Sequence, residues 1–66
     1  MPVITVEGGH IADLAKKRKF VEKLTDAAMD AYGLPREVFV VLLKANSPDN
    51  VGVGGELLID RHRNVD

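Results

Sequence analysis

The sequence predicts one small α+β domain: a β-α-β unit of two parallel strands and one long helix, followed by a short C-terminal hairpin. Two runs rich in β-branched residues, 3–7 and 38–43, flank a segment whose periodicity predicts a helix at 13–32. Because a crossover that contains a whole helix joins parallel strands, the two strands should pair in parallel with a right-handed connection. A length of 66 residues allows a single domain, spanning residues 1–66.

The helix is predicted from an apolar stripe and from signals at both of its ends. Asp13 stands where an N-cap is expected, Gly33 where a left-handed glycine ends a helix, and Pro35 prevents continuation. The stripe recurs at helical spacing and consists of Phe20, Val21, Leu24, Ala27, Ala28 and Ala31.

The strands are predicted from short β-branched runs that glycine or polar residues interrupt. The first run, 3–7, ends at a glycine pair, and the second, 38–43, is apolar throughout, as in a strand buried on both faces. Residues 56–59 favour a short third strand after a glycine-rich bend. The charged residues 60–66 are expected to fray.

A homo-oligomer that forms through the sheet is expected from size alone. A domain near 60 residues buries only about 60% of the surface that its unfolded chain exposes. The chain has no cysteine, so disulfides cannot compensate. One helix covers one face of the sheet, whereas the second strand is apolar on both, so the other face needs a partner chain.

Composition excludes several classes of function. Nine Lys or Arg balance ten Asp or Glu for a net charge of −1, which argues against a nucleic-acid clamp. Without cysteine, the two distant histidines cannot build a zinc shell. No apolar run approaches a membrane span, and the first residues lack signal-peptide features. We therefore expect a cytoplasmic protein with no metal, cofactor, nucleic-acid or membrane partner.

Pro2 is the first candidate for chemistry. Methionine is normally removed before a small second residue, which would leave a secondary amine at the start of the first strand. An α-amino group titrates near pH 8, where a general base is useful at neutral pH. The alternative is that a Met-Pro start reflects processing alone.

Other polar features have both a functional and a structural interpretation. His10 is an acid, a base or a hydrogen-bond donor, or is simply solvated, and Arg61 reaches a neighbouring subunit's site or keeps the tail soluble. Cations at 16–19 draw a carboxylate substrate or form a solvated face. The glycine-rich 51–55 is followed by acidic and apolar residues, which predicts a tight hairpin and not a phosphate loop. Phe39, within an apolar strand, is typical of a core residue.

Three motifs together resemble the 4-oxalocrotonate tautomerase family, the short-chain branch of the tautomerase superfamily. They are Pro2 before a β-branched strand, the helix core at 20–27 (FVEKLTDA), and GVGGEL at 52–57. The resemblance covers almost the whole chain. It implies the tautomerase fold, in which two β-α-β subunits share a four-stranded sheet and dimers assemble, typically into a hexamer.

The resemblance also implies a reaction. Pro2, freed of Met1, would take a proton from the hydroxyl of an enol and return one to carbon, giving the ketone. Family substrates are small carboxylic acids, namely 2-hydroxydienoates and other enols of α-keto acids. Phe39 and Val51 would line an apolar pocket between subunits.

The chain is divergent at the residues that bind substrate carboxylates. Where the family has an arginine before the helix, another in the second strand and an aromatic before the glycine turn, this sequence has Ala12, Phe39 and Val51. Without both arginines, charge-assisted binding is lost. Four other cations could substitute: Lys17, Lys44, Arg61 or His10.

The predicted function is therefore an enol–keto tautomerase, an isomerase, with Pro2 as general base. His10, Phe39, Val51 and Arg61 are the candidate substrate-binding residues. Two alternatives stay open: a non-catalytic oligomeric homologue, and a decarboxylase or dehalogenase that uses the same proline on a related small acid.

Overall fold

The computed structural model describes residues 1–63 and contains the predicted β-α-β unit with its C-terminal hairpin. The elements, in chain order, are β1 Val3–Gly8, α1 Leu14–Tyr32, β2 Val40–Ala45, β3 Gly52–Val53, β4 Glu56–Leu57 and α2 Leu58–Arg63. Single 3₁₀ turns at Arg36–Val38 and Pro48–Asn50 precede β2 and β3. Strands β1 and β2 pair in parallel, which confirms the predicted topology.

The ends of α1 are fixed by the predicted capping residues. The Asp13 carboxylate accepts from the backbone N–H groups of Ala15 and Lys16 at 2.9 and 3.3 Å. Gly33 adopts a left-handed conformation with φ 68°, and its N–H donates to the Met29 carbonyl at 2.8 Å. Both caps satisfy backbone groups that the helix itself leaves unpaired.

The hairpin β3–β4 turns on two glycines. Gly54 and Gly55 have φ of 62° and 85°, and the strands pair with Gly52 opposite Leu57. A two-residue turn with positive φ at both positions matches the twist of a hairpin and strongly favours glycine. The predicted hairpin is confirmed.

The strand boundaries differ from the predictions in four places. β2 begins at Val40 and not at residue 38, because residues after Pro35 form a 3₁₀ turn in which the Phe39 N–H donates to the Arg36 carbonyl. β1 and β2 extend to Gly8 and Ala45, one and two residues beyond the predicted ends, because the parallel ladder continues to that pair. The strand predicted at 56–59 is β4, which ends at Leu57 because its partner β3 has only two residues, and Leu58 begins α2.

The charged C-terminal segment, predicted to fray, is helical where it is described. Helix α2 includes Asp60 and runs to Arg63. Residues 64–66 of that prediction lie outside the described residues.

Helix α1 covers one face of the sheet and leaves the other open. Ile4 and Val6 of β1 are half-buried, as are their neighbours Val41 and Leu43 of β2, and the last two line a groove beneath α1. On the opposite face Leu42 is 44% exposed. Within one protomer the lone helix therefore covers one face of β2, as expected, and cover of the other face by a partner chain stays a prediction.

The protomer has almost no interior. Of the residues whose burial is described, only Thr25 is buried, and its hydroxyl donates to the Val21 carbonyl at 2.8 Å. The radius of gyration is 15.8 Å, against about 11 Å for a compact domain of this length. The accessible surface is 5228 Å², against about 4,100 Å² expected for a folded monomer of this mass. A chain that buries so little of its surface requires a partner to cover more of it.

Replacing Gly33 by alanine should destabilise the fold. A Cβ in the left-handed conformation at φ 68° costs about 1 kcal/mol. Gly9→Ala is the control, since Gly9 has no positive φ and its added Cβ would meet no atom within 4 Å. Urea unfolding at one fixed protein concentration should show a lower midpoint for Gly33→Ala only, and equal midpoints for the two variants would contradict the capping assignment.

Replacing Leu42 by lysine should disrupt assembly. If a partner covers the open sheet face, a lysine there places an unpaired charge in an apolar interface, which is strongly unfavourable. Leu34→Lys is the matched control, because Leu34 is 42% exposed, against 44% for Leu42, but lies in the loop after α1. Sedimentation velocity should show smaller species for Leu42→Lys alone. A Leu42→Lys protein that sediments like wild type would mean that this face is free.

Candidate active site

Pro2 immediately precedes β1 and is half-buried on the side of the sheet that faces α1. Its carbonyl accepts from the Val40 N–H at 3.1 Å, which extends the parallel ladder by one step and places Pro2 beside Phe39. Burial alternates along this segment, so Pro2 shares a face with Ile4. Met1 is 86% exposed, so its removal would cost no packing.

An aromatic pair stands next to Pro2. The Phe39 ring contacts Tyr32, the last residue of α1, with ring centroids 5.9 Å apart and planes inclined at 57°. Phe39 is half-buried and Tyr32 is 63% exposed. Tyr32 is absent from the predicted site. Its place follows from the crossover, because a helix antiparallel to the strands ends beside their starts.

His10 and Val51 come together in a cleft at the opposite end of the sheet. This cleft has a volume of about 540 Å³ and follows the carboxyl ends of β1 and β2. Backbone hydrogen bonds of 2.8 Å shape it, from Asn46 N–H to the Gly8 carbonyl and from Leu58 N–H to the Val51 carbonyl. Its lining combines apolar and polar groups, which include Glu7, His10, Asn46, Ser47, Val51 and Leu58.

Arg61 lies on α2 and is paired within its own hairpin. Its Nε is 3.4 Å from a Glu56 carboxylate oxygen, and both side chains are about half exposed. An exposed pair of this kind contributes little, so the guanidinium can exchange Glu56 for another anion at small cost.

One protomer does not bring all the predicted residues together. Pro2 precedes β1 and His10 follows it, and the strand Val3–Gly8 lies between them. At about 3.3 Å per residue, six residues separate the two ends by about 20 Å. Of the predicted substrate-binding residues, only Phe39 lies beside Pro2.

Charge is also distributed unevenly along the sheet. Lys17 and Arg18, in the first turns of α1, line the groove with Leu43, far from Pro2. Next to Phe39, by contrast, the Arg36 guanidinium is paired with the Asp26 carboxylate. The surroundings of Pro2 in its own protomer are therefore aromatic, and the neighbouring arginine is paired with an aspartate.

The chain belongs to the Tautomerase family. The family model, described as a tautomerase enzyme, matches residues 2–61, which include Pro2, the long helix and the hairpin. This confirms the resemblance seen in the sequence and supports a tautomerase-like isomerase. None of the helices within the described residues is long and apolar enough to cross a membrane.

Solved structures of several relatives are similar over nearly their full length. DmpI from Archaeoglobus fulgidus is 44% identical, with 89% of this chain and 100% of that chain covered and a TM-score of 0.79. YwhB, a homologue of 4-oxalocrotonate tautomerase, is 32% identical, with 89% and 97% covered and a TM-score of 0.81. TomN, a 4-oxalocrotonate tautomerase homologue in the tomaymycin biosynthetic pathway, is 27% identical, with 94% and 95% covered and a TM-score of 0.83. No curated protein matches the chain.

Proposed function

We propose that this protein is an enol–keto tautomerase in which Pro2, freed of Met1, is the general base. Its substrate is a small 2-hydroxydienoate or the enol of an α-keto acid. The observation that supports the proposal is the position of Pro2. It lies within the segment that matches the Tautomerase family, and it is half-buried immediately before β1, beside Phe39.

The reaction needs only a proton carrier. The neutral secondary amine of Pro2 takes the proton from the enol hydroxyl, the C–O bond becomes a carbonyl, and the electron pair of the double bond moves to carbon. The resulting prolinium returns the proton to that carbon, so nothing is consumed. An α-amino group titrates near pH 8, and apolar surroundings favour its neutral form, which suits a base beside Phe39.

The rest of the site comes, in this proposal, from a second protomer. A two-fold axis perpendicular to the sheet runs the two β1 strands antiparallel, so that the Pro2 end of one protomer meets the cleft end of the other. A four-stranded sheet then forms across the dimer, and dimers build a larger homo-oligomer such as a hexamer. The antiparallel pairing closes the gap of about 20 Å between Pro2 and a cleft. Both helices of the dimer lie on the same side of its sheet, so packing between dimers covers the open sheet face.

The partner's cleft would supply the groups that hold the substrate carboxylate. His10 lines the cleft and is a candidate hydrogen-bond donor, and Val51 is an apolar wall. Arg61 lies on α2, whose first residue Leu58 lines the cleft, and it is the candidate cation, because its exposed pair with Glu56 exchanges easily. These two side chains stand in for the family arginines that the sequence lacks at Ala12 and Phe39.

Substituting Pro2 by alanine should abolish most turnover. General acid–base catalysis by a positioned group contributes about 10²–10⁴-fold, so ketonisation should fall by that order. Ketonisation of 2-hydroxymuconate and of phenylenolpyruvate would be followed by absorbance, with protein whose mass shows that Met1 has been removed. Two controls separate chemistry from folding: Pro2→Ala should sediment like wild type, and protein that retains Met1 should be inactive because its Pro2 nitrogen is an amide.

Three outcomes would overturn the proposal. Undiminished turnover by Pro2→Ala would remove Pro2 from catalysis. A processed, assembled protein with no rate above buffer on either enol would favour the non-catalytic homologue. Release of carbon dioxide or halide from a related small acid, without ketonisation, would favour the decarboxylase or dehalogenase.

A further inference from the structure

The aromatic pair beside Pro2 has no role in the reaction as proposed so far. Tyr32 ends α1 and reaches Phe39 at 5.9 Å between ring centroids, and Phe39 is the cross-strand neighbour of Pro2. Tyr32 is 63% exposed in the protomer, so most of its ring surface makes no contact within its own chain. A molecule bound at Pro2 can contact that surface.

The charges near this pair disfavour a second carboxylate. The charge of Arg36, in the turn that leads into Phe39, is balanced by that of Asp26. Asp30 lies in the last turns of α1, and Glu37 lies in the same 3₁₀ turn as Arg36. The run of cations in the first turns of α1 is at the far end of the sheet. Arg36, Asp26, Asp30 and Glu37 sum to a formal charge of −2, so a carboxylate placed against the two rings would lose water in negatively charged surroundings, which is costly.

We propose that Tyr32, together with Phe39, forms an apolar wall that selects enols of α-keto monocarboxylic acids with an aryl or bulky apolar substituent, over dicarboxylic enols. The inference rests on the proposed function, in which the partner's cleft holds one carboxylate. The substituent at the other end of the substrate then lies against the Tyr32 and Phe39 rings. Offset or edge-on contact between aromatic rings favours an aryl group there.

The selection is tested by comparing two enols across matched variants. Wild-type protein should have a higher kcat/KM for phenylenolpyruvate than for 2-hydroxymuconate. Tyr32→Ala should lower that ratio by about 10-fold, chiefly through the KM of the aryl enol, as expected for loss of one apolar contact surface. Tyr32→Phe, which keeps the ring, and Leu34→Ala, which removes a nearby exposed apolar side chain, should leave the ratio unchanged.

A binding measurement separates this inference from the catalytic proposal. In Pro2→Ala protein, calorimetry should detect tighter binding of 3-phenylpropanoate than of adipate, and adding Tyr32→Ala should remove the difference. The inference would be overturned by a wild-type protein whose kcat/KM is higher for 2-hydroxymuconate. It would also be overturned by a Tyr32→Ala variant in which kcat/KM falls equally for both substrates. A processed wild-type protein that turns over neither enol but keeps the preference for the aryl acid would overturn the tautomerase proposal alone.

Discussion

A single helix can cover only one face of a two-stranded sheet, and the rest of this structure depends on that limit. α1 half-buries Ile4, Val6, Val41 and Leu43, while Leu42 on the other face is 44% exposed. The chain has no disulfide to offset the missing burial. Assembly through the open face is the remaining way to bury apolar surface, which makes the oligomer part of the folding problem.

The same limit shapes the site. A protomer this thin has no interior in which to enclose a substrate, and the strand that carries Pro2 is long enough to hold the cleft about 20 Å away. Each protomer therefore offers two halves, an aromatic end with Pro2 and a cleft lined by apolar and polar groups that include Val51 and His10. Antiparallel pairing would make two complete sites from two incomplete chains.

Local signals in the sequence were sufficient for β1, α1, β2 and the hairpin, but not for every boundary or for the helix α2. Asp13, Gly33 and the Gly54–Gly55 turn act through their own backbone neighbours, so their roles can be predicted without the fold. The start of β2 depends instead on the turn after Pro35, and the end of β4 on the length of its partner strand. Composition alone cannot supply either constraint.

The structure places the predicted site residues at both ends of the sheet. Phe39 and Val51 were assigned to the pocket through the resemblance, and parallel pairing puts Phe39 beside Pro2 whereas Val51 lies in the cleft at the other end. His10 was a candidate as a polar residue after the first strand, and it lines the same cleft. Tyr32 was not predicted as a site residue, because its position beside Phe39 depends on where α1 ends relative to the start of β2.

Complementation between two inactive variants tests most directly whether the site is shared between protomers. Pro2→Ala lacks the base, and Val51→Asp blocks the cleft with a charge, so each alone should be inactive while still assembling. Mixed oligomers formed by unfolding and refolding the two together should recover activity, approaching about a quarter of wild type because that share of randomly paired sites combines both intact halves. Mixed oligomers that stay inactive, although mass spectrometry shows both chains in one assembly, would contradict a site built across protomers.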